Sequence, residues 1–163
     1  MVGLHARTWP RTLKSILAAH EIGNHTEMHR VLSGLAKPAI ETELLSLQAY
    51  LRSTYGVRPR FFRPPEGKIN GDVIDTIRSA GMDLILWDVD SIDWTRPGFL
   101  KIARTVAEET KPGSIILMHT LNPQTVETLP VLIEYLQAAG FRLVPVSELL
   151  NRPAYLDTSP PPP

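Results

Sequence analysis

The sequence predicts an α/β fold: a mostly parallel sheet or barrel with helices on its outside. Three observations carry that expectation. Short apolar runs alternate with segments of helical period. The runs are nearly continuous in apolar residues, as strands covered on both faces are. Gly or Pro stands at the passages between them. At roughly 100–200 residues per domain, 163 residues make one domain with a core of its own.

Taken in order, Val2-Gly3 reads as the end of a buried strand, and Glu21-Ile22-Gly23 is a second short apolar stretch. Pro38 to Tyr55 places Ile40, Leu44, Leu47 and Leu51 at spacings of four, three and four, one stripe of a helix. Phe61-Phe62-Arg63 reads as a strand, Asp72 to Ala80 as a helix, and Leu84 to Trp87 as a strand. Pro97 to Thr110 is a helix, Ile115 to Met118 a strand, Pro123 to Ala139 a helix, and Phe141 to Val144 a strand. Gly81, Gly113 and Gly140 stand just past helices, where a left-handed cap is expected. Pro97 and Pro123 sit near helix starts, where a missing N–H costs least. The folded stretch is expected over 1–152. Residues 153–163, ending in Pro160 to Pro163, are expected as an extended, disordered tail, since each proline lacks a donor.

Composition excludes several classes. Seventeen basic against 17 acidic side chains give a formal charge of zero, which argues against a nucleic-acid module. The absence of cysteine excludes a disulfide framework, a thiolate zinc site and a cysteine nucleophile. No apolar run approaches the roughly 18–20 residues of a membrane span, and Met1 to Arg7 has no signal-peptide core.

The residues able to do chemistry fall at strand ends. His119 follows Ile115 to Met118, and Asp88, Asp90 and Asp93-Trp94 follow Leu84 to Trp87. Arg63-Pro64-Pro65-Glu66-Gly67 follows Phe61-Phe62, and His25-Thr26-Glu27-Met28-His29 follows Glu21-Ile22-Gly23. Ligands collect at this end of the strands in α/β folds, so a shared site is expected. His25 and His29 are four apart, and a helical turn would set both imidazoles on one face, an arrangement that suits two nitrogen ligands of a divalent metal. Singly, each residue has a plainer reading. The histidines could be a surface pair, His119 a core histidine, Arg63 half of an ion pair, and Asp90, Asp93 and Trp94 helix cap and core cover. The combination carries the argument.

In that combination the sequence resembles the polysaccharide deacetylase family of carbohydrate esterases. His25-Thr26-Glu27-Met28-His29 is similar to its His-Ser/Thr-x-x-His motif, and Arg63-Pro64-Pro65-Glu66-Gly67 to its Arg-x-Pro-aromatic-Gly motif. Asp90-Ser91-Ile92-Asp93-Trp94 resembles Asp-x-x-Asp-Trp, and Leu117-Met118-His119 resembles Leu-x-His. The resemblance implies a distorted (β/α) barrel and a hydrolase that removes acetyl groups from N- or O-acetylated sugars, acting on non-peptide carbon–nitrogen bonds in the first case. It implies His25 and His29 as ligands of a divalent metal, zinc with cobalt or nickel as alternatives. His119 is then the general acid, Asp93 orients it and favours its protonated form, and Arg63 pairs with the catalytic base. Pro65 and Glu66 bring a main-chain N–H to the oxyanion, and Trp94 and Leu117 form the slot for the acetyl methyl. An acetylated polysaccharide or oligosaccharide is the expected partner, met by a monomer, at the cell envelope or outside the cell if the family's habit holds.

One motif is missing. The family's Thr-Phe-Asp-Asp-Gly supplies the base and a third metal ligand, yet no Asp-Asp pair occurs here and no aspartate precedes His25. The expectation is therefore a partial barrel of the polysaccharide deacetylase type, lacking its first strand, first helix and most of its second strand. Such a chain should bind metal weakly and release little acetate. The alternative is a non-catalytic carbohydrate-binding or regulatory remnant of the same fold. Two smaller departures are Glu66, where an aromatic residue is common, and Thr120, where Asp is frequent; nothing in the sequence explains the second.

Overall fold

A computed structural model describes residues 1–158. Met1 and Val2 run beside 23–25: the Met1 nitrogen donates to Gly23 O at 2.8 Å and His25 N–H donates to Met1 O at 2.9 Å, the pattern of a parallel pair. The strand-end reading of Val2-Gly3 therefore holds for its first residue, and the second opens a helix. Helices α1 (Gly3–Thr8) and α2 (Pro10–Ala19), to which the sequence pattern assigns no element, follow. Pro10 opens α2 where its missing donor is harmless, and Leu13, Ile16 and Leu17 turn inward.

Helix α3 (Lys37–Tyr55) is the longest element, and its stripe of Ile40, Leu44, Leu47 and Leu51 is fully buried. Its first half packs with Leu32, Phe62, Val73, Ile77 and Met82, and its second half with Ala6, Leu13 and Ile22. One helix thus serves two apolar clusters. Each buried aliphatic side chain stabilises the fold by about 1.5–3 kcal/mol. Beyond α3 come β1 (Val57–Pro59), β2 (Phe61–Phe62), α4 (Gly71–Ser79) and β3 (Asp83–Leu84). β2 pairs in parallel with β3, and a parallel bridge between Asn24 and Phe62 joins β2 to the 23–25 segment. Asn70 caps α4 by accepting Val73 N–H, and Gly81 ends it at φ 70° with Met82 N–H on Ile77 O.

The residues so far belong to one compact unit, Met1–Leu86 together with the chain from Leu150; Trp87–Leu149 forms another. The stretch expected as a single domain, 1–152, thus falls across two units with separate cores. In the second, β4 (Val89–Asp90) pairs in parallel with β5 (Ile116–Leu117). Helices α5 (Phe99–Glu109) and α6 (Pro123–Ala138) bring Val106, Leu132 and Leu136 against Val89. Gly140, at φ 88°, closes α6 with Phe141 N–H on Leu136 O, and the Phe141 ring joins the same cluster. A short helix, α7 (Val146–Leu150), follows.

Four expectations need correction. The expected strand Leu84 to Trp87 is split: pairing stops at Leu84 and resumes at Val89 against a different partner, β5. Phe141 to Val144 forms no strand; its first N–H is spent on the helix cap, and Leu143 is 42% exposed. Gly113 lies beyond the end of α5, whose cap is Thr110, and takes its φ of 91° in the turn toward β5. The tail expected from 153 is ordered through 158: β6 (Tyr155–Thr158) pairs antiparallel with β1, Leu156 packs on the core, and Arg58 pairs with Asp157 at 3.1 Å. The rest of that tail, 159–163, lies outside the described residues. Among the described residues there is no closed barrel, and no helix is long and apolar enough to cross a membrane.

Leu44 and its neighbour Leu45 give a paired test, since the first is fully buried and the second 46% exposed. Leu44→Ala is expected to cost about 2–5 kcal/mol in urea denaturation, and Leu45→Ala within about 0.5 kcal/mol of nothing.

Candidate active site

The 25–29 motif is a loop, not the helical turn expected from its spacing. Thr26 and His29 both take left-handed backbone, at φ 66° and 59°. Such angles in non-glycine residues cost about 1–3 kcal/mol each and persist only where the surroundings over-determine them. The surroundings here are specific. Asn24 Oδ1 accepts Thr26 N–H at 2.9 Å, Thr26 Oγ1 accepts His29 N–H at 2.9 Å, and Gly3 N–H donates to Thr26 O at 3.0 Å. From α3, the Glu43 carbonyl accepts Glu27 N–H and the Glu43 carboxylate accepts Met28 N–H, both at 2.8 Å. The outcome is still a pair of neighbouring imidazoles: the His25 and His29 rings stand edge-on with centroids 4.7 Å apart.

His25 Nδ1 lies 2.6 Å from Arg63 O. A carbonyl only accepts, so Nδ1 carries the proton and Nε2 keeps its lone pair. Burial pulls the His25 pKa down to about 3; the bond to Arg63 O resists the fall, and nearby positive charge adds to it. At neutral pH the ring is an uncharged donor. The Arg63 backbone matters as much as its side chain, because its N–H also donates to Asn24 O at 3.0 Å. Burial lowers the pKa of the Arg63 guanidinium. Pro65 and Glu66 form a single turn in which Glu66 is left-handed at φ 56°. The Glu66 carboxylate points to solvent and pairs with Lys68 Nζ at 2.7 Å, which holds its pKa below the usual value.

The second unit carries a separate cluster around Asp93, which is fully buried. Asp93 Oδ1 lies 2.7 Å from His119 Nδ1, and Oδ2 accepts the His119 N–H at 2.6 Å and the Thr125 hydroxyl at 2.5 Å. Burial works to raise the Asp93 pKa, but the bonds from Thr125 and His119 outweigh it, and the pKa ends below the usual carboxylate value. An ionised Asp93 only accepts, so His119 holds its proton at Nδ1 and offers Nε2. Asn122 caps α6 through Gln124 N–H and donates to Asp93 O at 2.6 Å. Asp90 is a turn former, its carboxylate accepting Ile92 N–H at 2.8 Å. Trp94 is 64% exposed, and Leu117 is buried within β5.

Sequence reasoning missed Asn24, Glu43, Asn122 and Thr125. Glu43 left a signal: it is a charge on the apolar stripe of α3, 4% exposed between Ile40 and Leu44. Asn122 left another, as the cap residue before Pro123 at a helix start. Asn24 and Thr125 left none. As a metal site, the His25–His29 pair fits in kind, since imidazole nitrogens suit zinc, cobalt or nickel. Among the described residues, no group of three or more His, Asp or Glu side chains is placed to hold a metal.

A profile of the polysaccharide deacetylase family matches residues 1–85. A peptidoglycan-N-acetylglucosamine deacetylase of Bacillus cereus is 35% identical over 157 residues, covering 93% of this chain and 73% of its own. A chitooligosaccharide deacetylase of a Bradyrhizobium species is 32% identical over 165 residues, covering 91% of this chain and 75% of its own. Among solved structures, a CE4 family pseudoenzyme from Bacillus anthracis is 30% identical at a TM-score of 0.87. That match covers 91% of this chain, which spans only 53% of the solved one.

His25 links this site to stability. Its pKa falls from 6.5 in the unfolded chain to about 3 in the folded one, so the unfolded state binds the extra proton between those values. Stability is complete above about pH 6.5 and is lost as pH falls toward 3, by up to about 1.4 kcal/mol per pH unit. Urea midpoints measured in chelator from pH 7 to 4 should fall more steeply for the parent than for His25→Asn, which keeps a donor for Arg63 O but cannot titrate.

Proposed function

The chain belongs to the polysaccharide deacetylase family, and on that premise we propose that it serves metal-dependent removal of acetyl groups from N- or O-acetylated polysaccharides. The observation that carries the reading is the bond from His25 Nδ1 to Arg63 O, which leaves the lone pair on Nε2 of a ring whose centroid is 4.7 Å from that of His29. His25 and His29 would hold a divalent cation, zinc with cobalt or nickel as alternatives. When bound, such a cation supplies Lewis acidity toward water and the acetyl carbonyl. His119 delivers a proton from Nε2 to the departing sugar nitrogen or oxygen. Asp93 keeps that ring in one tautomer and one orientation and stabilises its positive charge, with Thr125 and Asn122 fixing Asp93 in turn. The Glu66 main-chain N–H donates to the developing oxyanion. Leu117 and Trp94 offer apolar surface to the acetyl methyl, and Arg63 would pair with the carboxylate base of the family's Asp-Asp motif, a motif that does not occur in these 163 residues.

A second reading has a specific observation in its favour. No third His, Asp or Glu among the described residues joins the two imidazoles, and a relative of the same fold is named a pseudoenzyme. On that reading the chain holds an acetylated glycan without cleaving it. Peptidoglycan fragments and chitooligosaccharides, the sugars in the relatives' names, are the substrates to try first.

Calorimetry with Zn2+ should show weak binding by the 163-residue chain, lost in His25→Ala and His29→Ala. Acetate release from N-acetylated oligosaccharides should stay near background. Chelator-sensitive release that His119→Ala abolishes would show that the two imidazoles suffice for catalysis. Glycan binding without release would favour the second reading, and no Zn2+ binding at all would end the metal-centre proposal.

A further inference from the structure

Glu43 raises a question that the metal donors and the proton donor leave open. It lies on the apolar stripe of α3, 4% exposed, with Ile40, Leu44 and Leu47 beside it. A carboxylate there costs free energy that Leu or Ile would not, so its partners must repay the burial. Those partners are known. Glu43 Oε2 accepts Met28 N–H at 2.8 Å, Glu43 O accepts Glu27 N–H at 2.8 Å, and Arg30 Nε stands 4.0 Å from Oε1. One helical residue therefore holds two consecutive amides at the centre of the His25–His29 loop, and its second oxygen faces the residue just after the loop.

That loop has no regular structure to shape it. It enters through Thr26 at φ 66° and leaves through His29 at φ 59°, and no glycine relieves either. The first of these is held from within by Asn24 Oδ1, and the amide of the second by Thr26 Oγ1. Of the intervening residues, Glu27 is held from α3 by Glu43 O and from α1 by Leu4 N–H, which donates to Glu27 O at 2.9 Å, and by Arg7, which pairs with its carboxylate at 2.8 Å; Met28 N–H is held by the Glu43 carboxylate. Releasing Met28 would let the chain between the two imidazoles relax toward ordinary backbone and carry the His29 ring away from His25.

We infer that Glu43 is a positioning residue: its carboxylate, bonded to Met28 N–H, sets the spacing and relative orientation of the His25 and His29 rings. It touches neither ring and acts through the loop backbone. The inference rests on the reading of that pair as metal donors only for its consequence in affinity; the geometric claim stands on the apo chain.

Two variants separate positioning from a role in folding. E43L supplies the apolar volume that the stripe of α3 favours and removes the acceptor. E43Q keeps an amide oxygen at the same reach. Proton NMR of the chelator-treated 163-residue chain reads the ring–ring contact directly, as a nuclear Overhauser effect between the His25 and His29 imidazoles. The contact is expected in the parent and E43Q and lost in E43L, while the thermal midpoint of E43L stays at or above that of the parent. Zn2+ calorimetry should follow the same order: E43L about 10–100-fold weaker than the parent, E43Q within about threefold. A ring contact that survives in E43L overturns the inference. An E43L chain that fails to fold overturns it as well, by making Glu43 a requirement of the fold. A parent that binds no Zn2+ removes the metal reading alone, since the ring contact still decides the geometric claim.

Discussion

Strands of two to four residues leave main-chain donors and acceptors at their ends that no ladder satisfies, and this shortage organises both units. A buried N–H without a partner costs about as much as a lost hydrogen bond, so side chains must step in. In the first unit the ladder ends at Asn24, whose N–H and C=O are taken by Phe61 and Arg63. Past that point the chain is held by Met1 O, by the first amides of α1, by the side chains of Asn24 and Thr26 and by Glu43. In the second unit pairing ends at Asp90 and Leu117, and the amides beyond are taken by the carboxylates of Asp90 and Asp93. In the second unit the residues that meet this need, Asp90 and Asp93, are ones that look chemical in the sequence; in the first, Asn24 and Glu43 meet it without having been singled out there.

The same bonds decide proton positions. A carbonyl faces His25 Nδ1 and an ionised carboxylate faces His119 Nδ1, and both only accept. Each ring is thereby held in the tautomer that exposes Nε2. The electrostatic surroundings differ: burial outweighs the bond to Arg63 O and keeps His25 neutral, whereas Asp93 sets a negative charge beside His119. One accepting atom apiece thus sets the tautomer of both histidines.

Much of this was legible in the residue order. The stripe of α3, the helices α4 to α6, and the glycine caps at Gly81 and Gly140 follow from period and local chemistry, because their hydrogen bonds close within a few residues. The placing of His25, Arg63, Asp93 and His119 at strand ends was equally visible. What escaped was set by long-range partners. The left-handed turn at Thr26 exists because Asn24 Oδ1 takes its N–H and Gly3 N–H reaches its carbonyl, and a four-residue spacing read alone looks like a helix. The break after Leu84 reflects a change of strand partner that no local signal marks. Residues 155–158 read as tail because their proline-rich neighbourhood hides the apolar Leu156 and the charge on Asp157.

That last segment shows how the first unit divides its labour. The parallel segments begin at Ile22, Arg60 and Asp83, and the chain from Arg152 to Asp157 lies against all three beginnings. Tyr155 Oη accepts Ile22 N–H at 3.3 Å, Arg60 N–H donates to Ala154 O at 2.9 Å, and Arg152 pairs with Asp83 at 3.1 Å. The opposite ends carry His25 and Arg63. At the base, ordinary backbone is secured by strand pairing, ion pairs and the buried Leu156. At the rim, three non-glycine residues, Thr26, His29 and Glu66, sit in left-handed conformations. Strain of that kind is tolerable only on a scaffold whose other end is firmly tied. The left-handed residues at the rim therefore share a scaffold with chain that lies about 90 to 130 residues later in the sequence and, within this unit, at the far end of the strands.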